Sequence, residues 1–228
     1  MAADTQATGL TYSVDLALCV DATGTMSPVI ELVKGNALRF VDDVAQTLSA
    51  KQKRVDALRV RTIVFRDLHE DGDAALSASP FFVLPGQRGE FAGLLRSVRA
   101  HGGGDEPESG LEALATAMRW AWARVADRKR HVVVVWTDAS AHRLEDASRR
   151  GTPGYPQNLP RDWAELSTLW AGGMDRFAKR LLIYAPDVAP WTDIQEEWES
   201  VVHIVSQAGR GLSEFDYADV LGTIANSI

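Results

Sequence analysis

An acid followed by two hydroxyl side chains ends the first apolar run of the chain. The run Leu16–Val20 stops at Asp21, and Thr23 and Thr25 follow at spacings of two and four residues. Buried parallel strands have nearly continuous apolar sequences, and open α/β sheets bind ligands just beyond the carboxyl ends of their strands. Carboxylate and hydroxyl oxygens are the donors that hard divalent cations prefer. The pattern therefore predicts a cation site directly after the first strand.

Two further acids occupy comparable positions later in the chain. Asp138 lies two residues after the apolar run Val132–Trp136, and Asp105 lies in a glycine-rich turn at 102–108. In a doubly wound sheet the first and the fourth major strand commonly lie side by side, so we expect Asp21 and Asp138 at one crevice, with the turn reaching over it. Carboxylates that meet in this way repel each other, and a divalent cation would neutralise them. Oxygen-only ligands favour Mg²⁺ or Mn²⁺, and less strongly Ca²⁺, over Zn²⁺.

Strand and helix patterns alternate along the chain and would position these residues. Strands are predicted at about 14–20, 58–65, 81–84, 132–136, 181–184 and 201–205, and helices at about 27–48, 86–98, 109–125 and from 213 to the end. Such alternation predicts a three-layer, doubly wound, Rossmann-like α/β fold whose mostly parallel sheet carries helices on both faces. We interpret Glu106 and Glu108 as acids of a helical first turn, where carboxylates offset the helix dipole.

One domain is expected at 13–228, after a flexible N-terminal segment at 1–12. A long surface loop is predicted at about 141–161, directly downstream of Asp138, because this interval is rich in glycine and proline and has little periodicity. Trp163 and Trp170 share one helical face beside this loop, and an interface there is a further hypothesis.

Composition limits the classes of partner and compartment. The 228 residues carry a formal charge of −7, which disfavours nucleic acid because phosphates are bound chiefly by Lys and Arg. The first residues are not basic and are not followed by an apolar run, so no secretory signal is predicted. No stretch approaches the roughly 20 apolar residues of a membrane span. The single cysteine, Cys19, excludes a disulfide within the chain. We therefore expect a soluble cytoplasmic protein.

The order of these motifs resembles the von Willebrand factor A domain. The resemblance rests on Asp21-x-Thr23-x-Thr25, the loop after Gly102-Gly103-Gly104, and Thr137-Asp138, and it covers the chain from about Ser13 to the end. In that family a metal-ion-dependent adhesion site uses Asp-x-Ser-x-Ser, a Thr from a second loop and an Asp from a third. The resemblance implies a six-stranded sheet, mostly parallel, with one short antiparallel edge strand. The glycine-rich and Phe-Arg-Asp elements are most similar to intracellular bacterial and protist members.

The resemblance also implies a role for each site residue. Thr23 and Thr25 take the two serine positions and keep their hydroxyls, while Asp21 and Asp138 match the family acids. Asp105 departs from the family, because it stands where a Thr is usual and raises the number of carboxylates from two to three. Three carboxylates carry one more negative charge than Mg²⁺ neutralises, so an acidic group from a partner should be less favoured here than in the family.

The function implied by the resemblance is non-enzymatic protein binding. A partner protein would dock on the metal face, which we define as the loops at 21–27, 102–108 and 138–142, within an intracellular multi-protein system. Neither nucleic acid, membrane nor a small-molecule substrate is expected at this face.

An enzymatic alternative comes from the same loop. Asp-Ala-Thr-Gly-Thr also resembles the phosphorylated loop of cation-pumping ATPases and their haloacid dehalogenase-like relatives, in which Asp21 would be the nucleophile of a Mg²⁺-dependent phosphatase or phosphotransferase. The soluble phosphatases usually carry a second Asp two positions after the nucleophile as general acid, and this chain has Thr23 there. General acid–base catalysis needs a titratable group at that place, so we predict a binding module and keep the phosphatase as the alternative.

Overall fold

One seven-stranded sheet organises the computed structural model, which describes residues 11–36, 40–50, 55–103, 106–146, 149–213 and 216–228. The strands are β1 (Tyr12–Asp21), β2 (Ala57–Phe65), β3 (Leu76–Ala78), β4 (Phe82–Leu84), β5 (Arg128–Trp136), β6 (Lys179–Pro186) and β7 (Val201–Ser206). The five long strands are parallel in the order β2-β1-β5-β6-β7, and β3 and β4 both pair with β2 in antiparallel orientation. The predicted doubly wound α/β fold is confirmed. The sheet has seven strands and not the expected six, because β3 adds a second short antiparallel strand to the one predicted at 81–84.

Helices cover both faces of this sheet. They are α1 (Ser27–Asn36), α2 (Phe40–Ala50), α3 (Leu68–Asp71), α4 (Arg88–Ser97), α5 (Gly110–Met118), α6 (Trp163–Gly172), α7 (Trp191–Glu197) and α8 (Tyr217–Ser227). One apolar cluster joins the sheet to α1, α2, α4 and α8, and a second joins it to α5, α6 and α7. None of the helices in the described ranges has the length and apolar composition needed to cross a membrane.

The second half of the central strand β1 is an unbroken apolar run, 16–20, because it is covered on both sides. Leu16 and Leu18 belong to one apolar cluster, whereas Ala17 and Cys19 belong to the other. Alternate residues of a strand point to opposite faces, so a strand between two helical layers requires apolar residues at nearly every position. Cys19 is fully buried, and burial raises the pKa of its thiol to about 12, which suppresses the reactive thiolate.

Helix α5 ends earlier than the sequence pattern predicts. The apolar positions continue to Val125, but the helix stops at Met118 and Val125 is 96% exposed. The backbone N–H of Ala123 donates to the buried carboxylate of Asp15 at 2.6 Å. The chain beyond Met118 thus leaves the helical path and is held by a tertiary contact before β5 begins, in spite of the helical periodicity.

The segment between β5 and α6 contains the predicted long loop. Within its described residues the regular structure consists of a short 3₁₀ turn, Arg149–Gly151, and an isolated bridge at Ala141. The Arg150 guanidinium donates to the carbonyl oxygens of Leu144 and Pro160 at 2.9 and 3.3 Å. These bonds tie the two ends of the loop to each other.

Candidate metal site

Asp21 and Asp138 lie at the same edge of the sheet because their strands are neighbours. β1 and β5 pair in parallel from Tyr12 to Val20, and Val20 is opposite Trp136. Asp21 is the last residue of β1, and Asp138 lies two residues beyond the end of β5. The carboxyl ends of adjacent parallel strands therefore bring together the two acids that the sequence separates by more than a hundred positions.

The carboxylate of Asp21 is fully buried and held by three hydrogen bonds. Its Oδ1 accepts from the backbone N–H of Thr23 at 2.9 Å and from the Thr23 hydroxyl at 2.7 Å, and its Oδ2 accepts from the Thr137 hydroxyl at 2.6 Å. Burial, with a smaller contribution from the nearby Asp138, raises the pKa of Asp21 to about 6 in spite of these bonds. The site thus holds an acid whose negative charge is incompletely compensated by the protein.

Thr25 connects this carboxylate to Asp138. The Thr25 hydroxyl donates to Asp138 Oδ1 at 3.0 Å and lies 3.4 Å from the hydroxyl of Thr23. The other oxygen of Asp138 accepts from the backbone N–H of Gly211 at 2.7 Å. Asp21 Oδ1, Thr23 Oγ1, Thr25 Oγ1 and Asp138 Oδ1 consequently form a continuous row of oxygen atoms, which we call the oxygen row.

The oxygen row has the chemistry and the spacing expected of ligands for a small hard cation. Its successive oxygens are 2.7, 3.4 and 3.0 Å apart, and neighbouring ligands of an octahedral Mg²⁺ with bonds of about 2.0–2.1 Å are about 2.9 Å apart. In the part of the chain that the structure describes, no three His, Cys, Asp or Glu side chains form a group that could hold a metal by themselves. The threonine hydroxyls would therefore be required as ligands.

The glycine-rich loop packs directly on the loop that follows β1. Gly102 and Gly103 have φ of +68° and +71°, a conformation that favours glycine. A Cβ atom on Gly103 would lie 2.7 Å from the Thr23 methyl carbon, so a side chain there would displace a candidate ligand. The predicted ligand Asp105 lies outside the described residues, and its role stays a prediction.

Glu108 is a further residue of the site that the sequence interpretation misplaced. The residue precedes the helix, because α5 begins at Gly110 with Ser109 as its N-cap. Its backbone N–H donates to the carbonyl of Ser140 at 3.0 Å, which joins the glycine-rich loop to the loop after Asp138. Glu108 therefore faces a different environment from the solvated first-turn acid that we expected.

The side chain of Glu108 points into the acidic site. It is 4% exposed, and its Oε2 has no hydrogen-bond partner among the described residues. Its Oε1 and the Thr23 methyl carbon flank the same small space, since a Cβ on Gly103 would lie within 2.9 Å of both. Burial and, after it, repulsion from the neighbouring carboxylates, Asp21 first, raise the pKa of Glu108 to about 9. A cation at the oxygen row would relieve this repulsion.

Arg66 holds the surrounding loops in place. Its buried guanidinium donates to the carbonyl oxygens of Ala22, His101, Ala74 and Arg99 at 2.7–3.1 Å. Because these carbonyls belong to three different loops, the positive charge of Arg66 supports the architecture of the metal face. Neither the role of Arg66 nor the hydrogen bond from Thr137 to Asp21 can be read from a local sequence pattern, because both depend on where separate strands end relative to one another.

Comparison with known proteins identifies the fold. The sequence matches no protein-family model and no curated protein. The structure is similar to that of the pilus adhesin SpaC from Lactobacillus rhamnosus GG, with a TM-score of 0.57 and 13% identity over 95% of this chain and 30% of that chain. For the open conformation of SpaC, the TM-score is 0.53 at 14% identity over 95% of this chain and 29% of that chain. The chain spans less than a third of the adhesin, and at this identity the similarity shows the three-layer α/β fold alone.

Proposed function

We propose that this chain is a metal-dependent protein-interaction module, which binds a partner protein through a divalent cation at the metal face. The oxygen row at the carboxyl ends of β1 and β5 is the observation that carries the proposal. Asp21, Thr23, Thr25 and Asp138 would hold the ion, with Asp105 as a fifth candidate. When bound, Mg²⁺ or Mn²⁺ would neutralise the buried carboxylates and offer a coordination position to an oxygen atom of the partner.

The charge distribution supports a resident cation. Asp21 and Glu108 are both buried, and both carboxyl groups have raised pKa values in the protein without a metal. Arg66, a buried cation beside these loops, donates its hydrogen bonds to backbone carbonyls. Buried charges without compensation are costly, and a divalent ion at the oxygen row would supply the missing positive charge.

Two observations weigh against the phosphatase alternative. Asp21 is fully buried, and both of its oxygens already accept hydrogen bonds from threonine hydroxyls, which leaves a poor approach for a phosphoryl group. Thr23 has no acidic proton to donate to a leaving group. We therefore propose a non-enzymatic role in an intracellular multi-protein system, in keeping with the von Willebrand factor A resemblance of the motifs.

Titration calorimetry with MgCl₂ and MnCl₂ tests the metal part of the proposal. We expect saturable binding to the wild-type chain and a loss of at least about tenfold in affinity for Asp138→Asn, because this change removes a charged ligand. Asp187→Asn carries the same chemical change on an exposed loop and should bind like the wild type. A wild-type chain that binds neither ion would refute the proposal.

Affinity capture with and without chelator tests the partner part. A partner retained by the wild-type chain should be lost in EDTA and lost with Asp21→Ala, since both remove the cation. A partner retained equally in all three samples would contradict metal-dependent binding. Turnover of p-nitrophenyl phosphate that requires Mg²⁺ and disappears in Asp21→Asn would instead support the phosphatase.

A further inference from the structure

A cleft of about 260 Å³ adjoins the metal face, between the segment 141–145 and helix α7. Its apolar lining includes Leu111, Leu144, Trp163 and Pro190. Trp163 is held firmly in this wall, because its ring stacks on Trp198 with centroids 5.8 Å apart. Trp170, the other tryptophan of the predicted helical face, is only 2% exposed and belongs to the core. The cleft is therefore a preformed slot of limited volume whose lining is only partly apolar.

The rim of the cleft is acidic. Glu145, Asp193 and Glu197 line it, together with one cation, Arg143. Glu145 accepts a hydrogen bond from the backbone N–H of Trp163 at 3.0 Å, and Glu197 accepts from the Trp163 indole N–H at 2.8 Å. Each of these bonds uses one carboxylate oxygen and fixes the acid beside the slot. The result is an apolar floor under an excess of negative charge.

The cleft lies close to the metal face. The indole N–H of the buried Trp191, at the start of α7, donates to the carbonyl of Ala139 at 2.9 Å. Ala141, which lines the cleft, pairs across an isolated bridge with Glu108 of the metal face. Asp138 and Ala141 are three residues apart, so their Cα atoms are separated by at most about 11 Å. A partner segment of a few residues is long enough to reach both places.

We propose that this cleft receives a lysine or arginine side chain of the protein that docks on the metal face, an inference that rests on the proposed function. The aliphatic stem of such a side chain contacts the apolar floor while its cationic end pairs with the acidic rim. A neutral side chain would bury apolar surface but leave the rim acids facing it without a cation. An acidic side chain would be repelled.

Short blocked peptides test the charge preference of the cleft. The probes are acetyl-Gly-Arg-Gly-amide and its counterparts with norleucine and with glutamate in the centre, which lack free carboxyl termini. ¹H–¹⁵N NMR spectra report occupancy through the Trp163 indole signal, assigned with Trp163→Phe. We expect saturable shifts with the arginine peptide and none with the other two at the same concentration.

Charge variants of the rim give the matched comparison. Asp193→Asn should weaken arginine-peptide binding about five- to tenfold, the size expected for one unit charge under strong solvent screening. Glu196→Gln removes a charge from the same helix outside the cleft lining and should leave binding unchanged. Arg143→Gln removes the cation found among the described residues of the lining and should tighten binding two- to fivefold.

Two results would overturn the inference. One is equal binding of the arginine and norleucine peptides, and the other is an arginine-peptide affinity that changes in neither Asp193→Asn nor Arg143→Gln. Each titration is run in EDTA and in Mg²⁺, beside calorimetry of Mg²⁺ alone. A chain that binds the arginine peptide but no metal retains the cleft and refutes the proposed metal function. A chain that binds metal but not the peptide refutes only the cleft.

Discussion

Replacing Asp21 by asparagine should have opposite effects on the metal-free and the metal-bound protein. The pKa of this carboxyl is raised from 3.8 to about 6, chiefly by burial. Because the folded-state pKa lies above the unfolded-state value, the native chain binds more protons than the unfolded chain between about pH 4 and pH 6. The free energy of unfolding therefore falls as the pH rises through this window, and the loss is complete above about pH 6.

The size of the effect follows from the same pKa values. At about 1.4 kcal/mol per pKa unit, a rise from 3.8 to about 6 corresponds to about 3 kcal/mol. Asparagine has nearly the same shape and no charge, so Asp21→Asn should stabilise the metal-free chain at pH 7.5 by up to about 3 kcal/mol. Under the proposed function, however, the variant lacks a charged ligand, and Mg²⁺ should no longer stabilise it. The wild type should gain about 2.7 kcal/mol when Mg²⁺ is present at a hundred times its dissociation constant.

Urea unfolding followed by tryptophan fluorescence measures both effects at pH 5.0 and 7.5, in EDTA and in Mg²⁺. The pKa of Glu108 is also raised, and this too makes the free energy of unfolding fall as the pH rises. The contribution of Asp21 is therefore the difference between the wild-type and variant chains at each pH. Asp187→Asn controls for a loss of charge in an exposed loop. A wild-type stability in EDTA that is constant or increases from pH 5.0 to 7.5 would refute the reasoning, as would equal stabilisation of Asp21→Asn by Mg²⁺.

Three further substitutions test the geometry of the site and of the core. Thr25→Ala should weaken Mn²⁺ binding in calorimetry about tenfold or more, whereas Thr25→Ser keeps the hydroxyl and most of the affinity. Gly103→Ala should lower the free energy of unfolding by about 1–3 kcal/mol, because its φ is +71° and a Cβ would collide with the Thr23 side chain. Gly89→Ala is the control: its Cβ would enter open space on α4, so this change should raise the free energy of unfolding by roughly 0.5 kcal/mol. Arg59→Ala should cost about 3 kcal/mol, because it leaves the fully buried carboxylate of Asp15 without its ion-pair partner.

Each of these expectations has a clear contrary result. Equal Mn²⁺ affinity of the alanine and serine variants at position 25 would remove that hydroxyl from the ligand set. A Gly103→Ala chain as stable as the wild type would mean that the two loops separate easily. A loss below about 1 kcal/mol for Arg59→Ala would place that ion pair among the weak surface pairs.

The strand order at the centre of the fold was predictable because burial on both faces leaves a strong pattern. The runs at 14–20 and 132–136 contain few polar residues, and both are followed by an acid at the point where the strand ends. The general topology of doubly wound sheets then places Asp21 beside Asp138. Helix ends were less predictable, because α5 stops at Met118 and the chain beyond it makes tertiary contacts, such as the bond from Ala123 to Asp15, that no local pattern reveals.

By itself, the sequence determined the α/β class, the central strands and the acids and hydroxyls at their ends, since these follow from local hydrophobic patterns and short spacings. Only the tertiary structure decided that Glu108 turns inward and that Thr137 binds Asp21. It also revealed that Arg66 holds three loops through their carbonyl oxygens, and that an acidic cleft adjoins the metal face. These features arise where loops from separate strands meet, so their energies depend on burial and on contacts between distant residues.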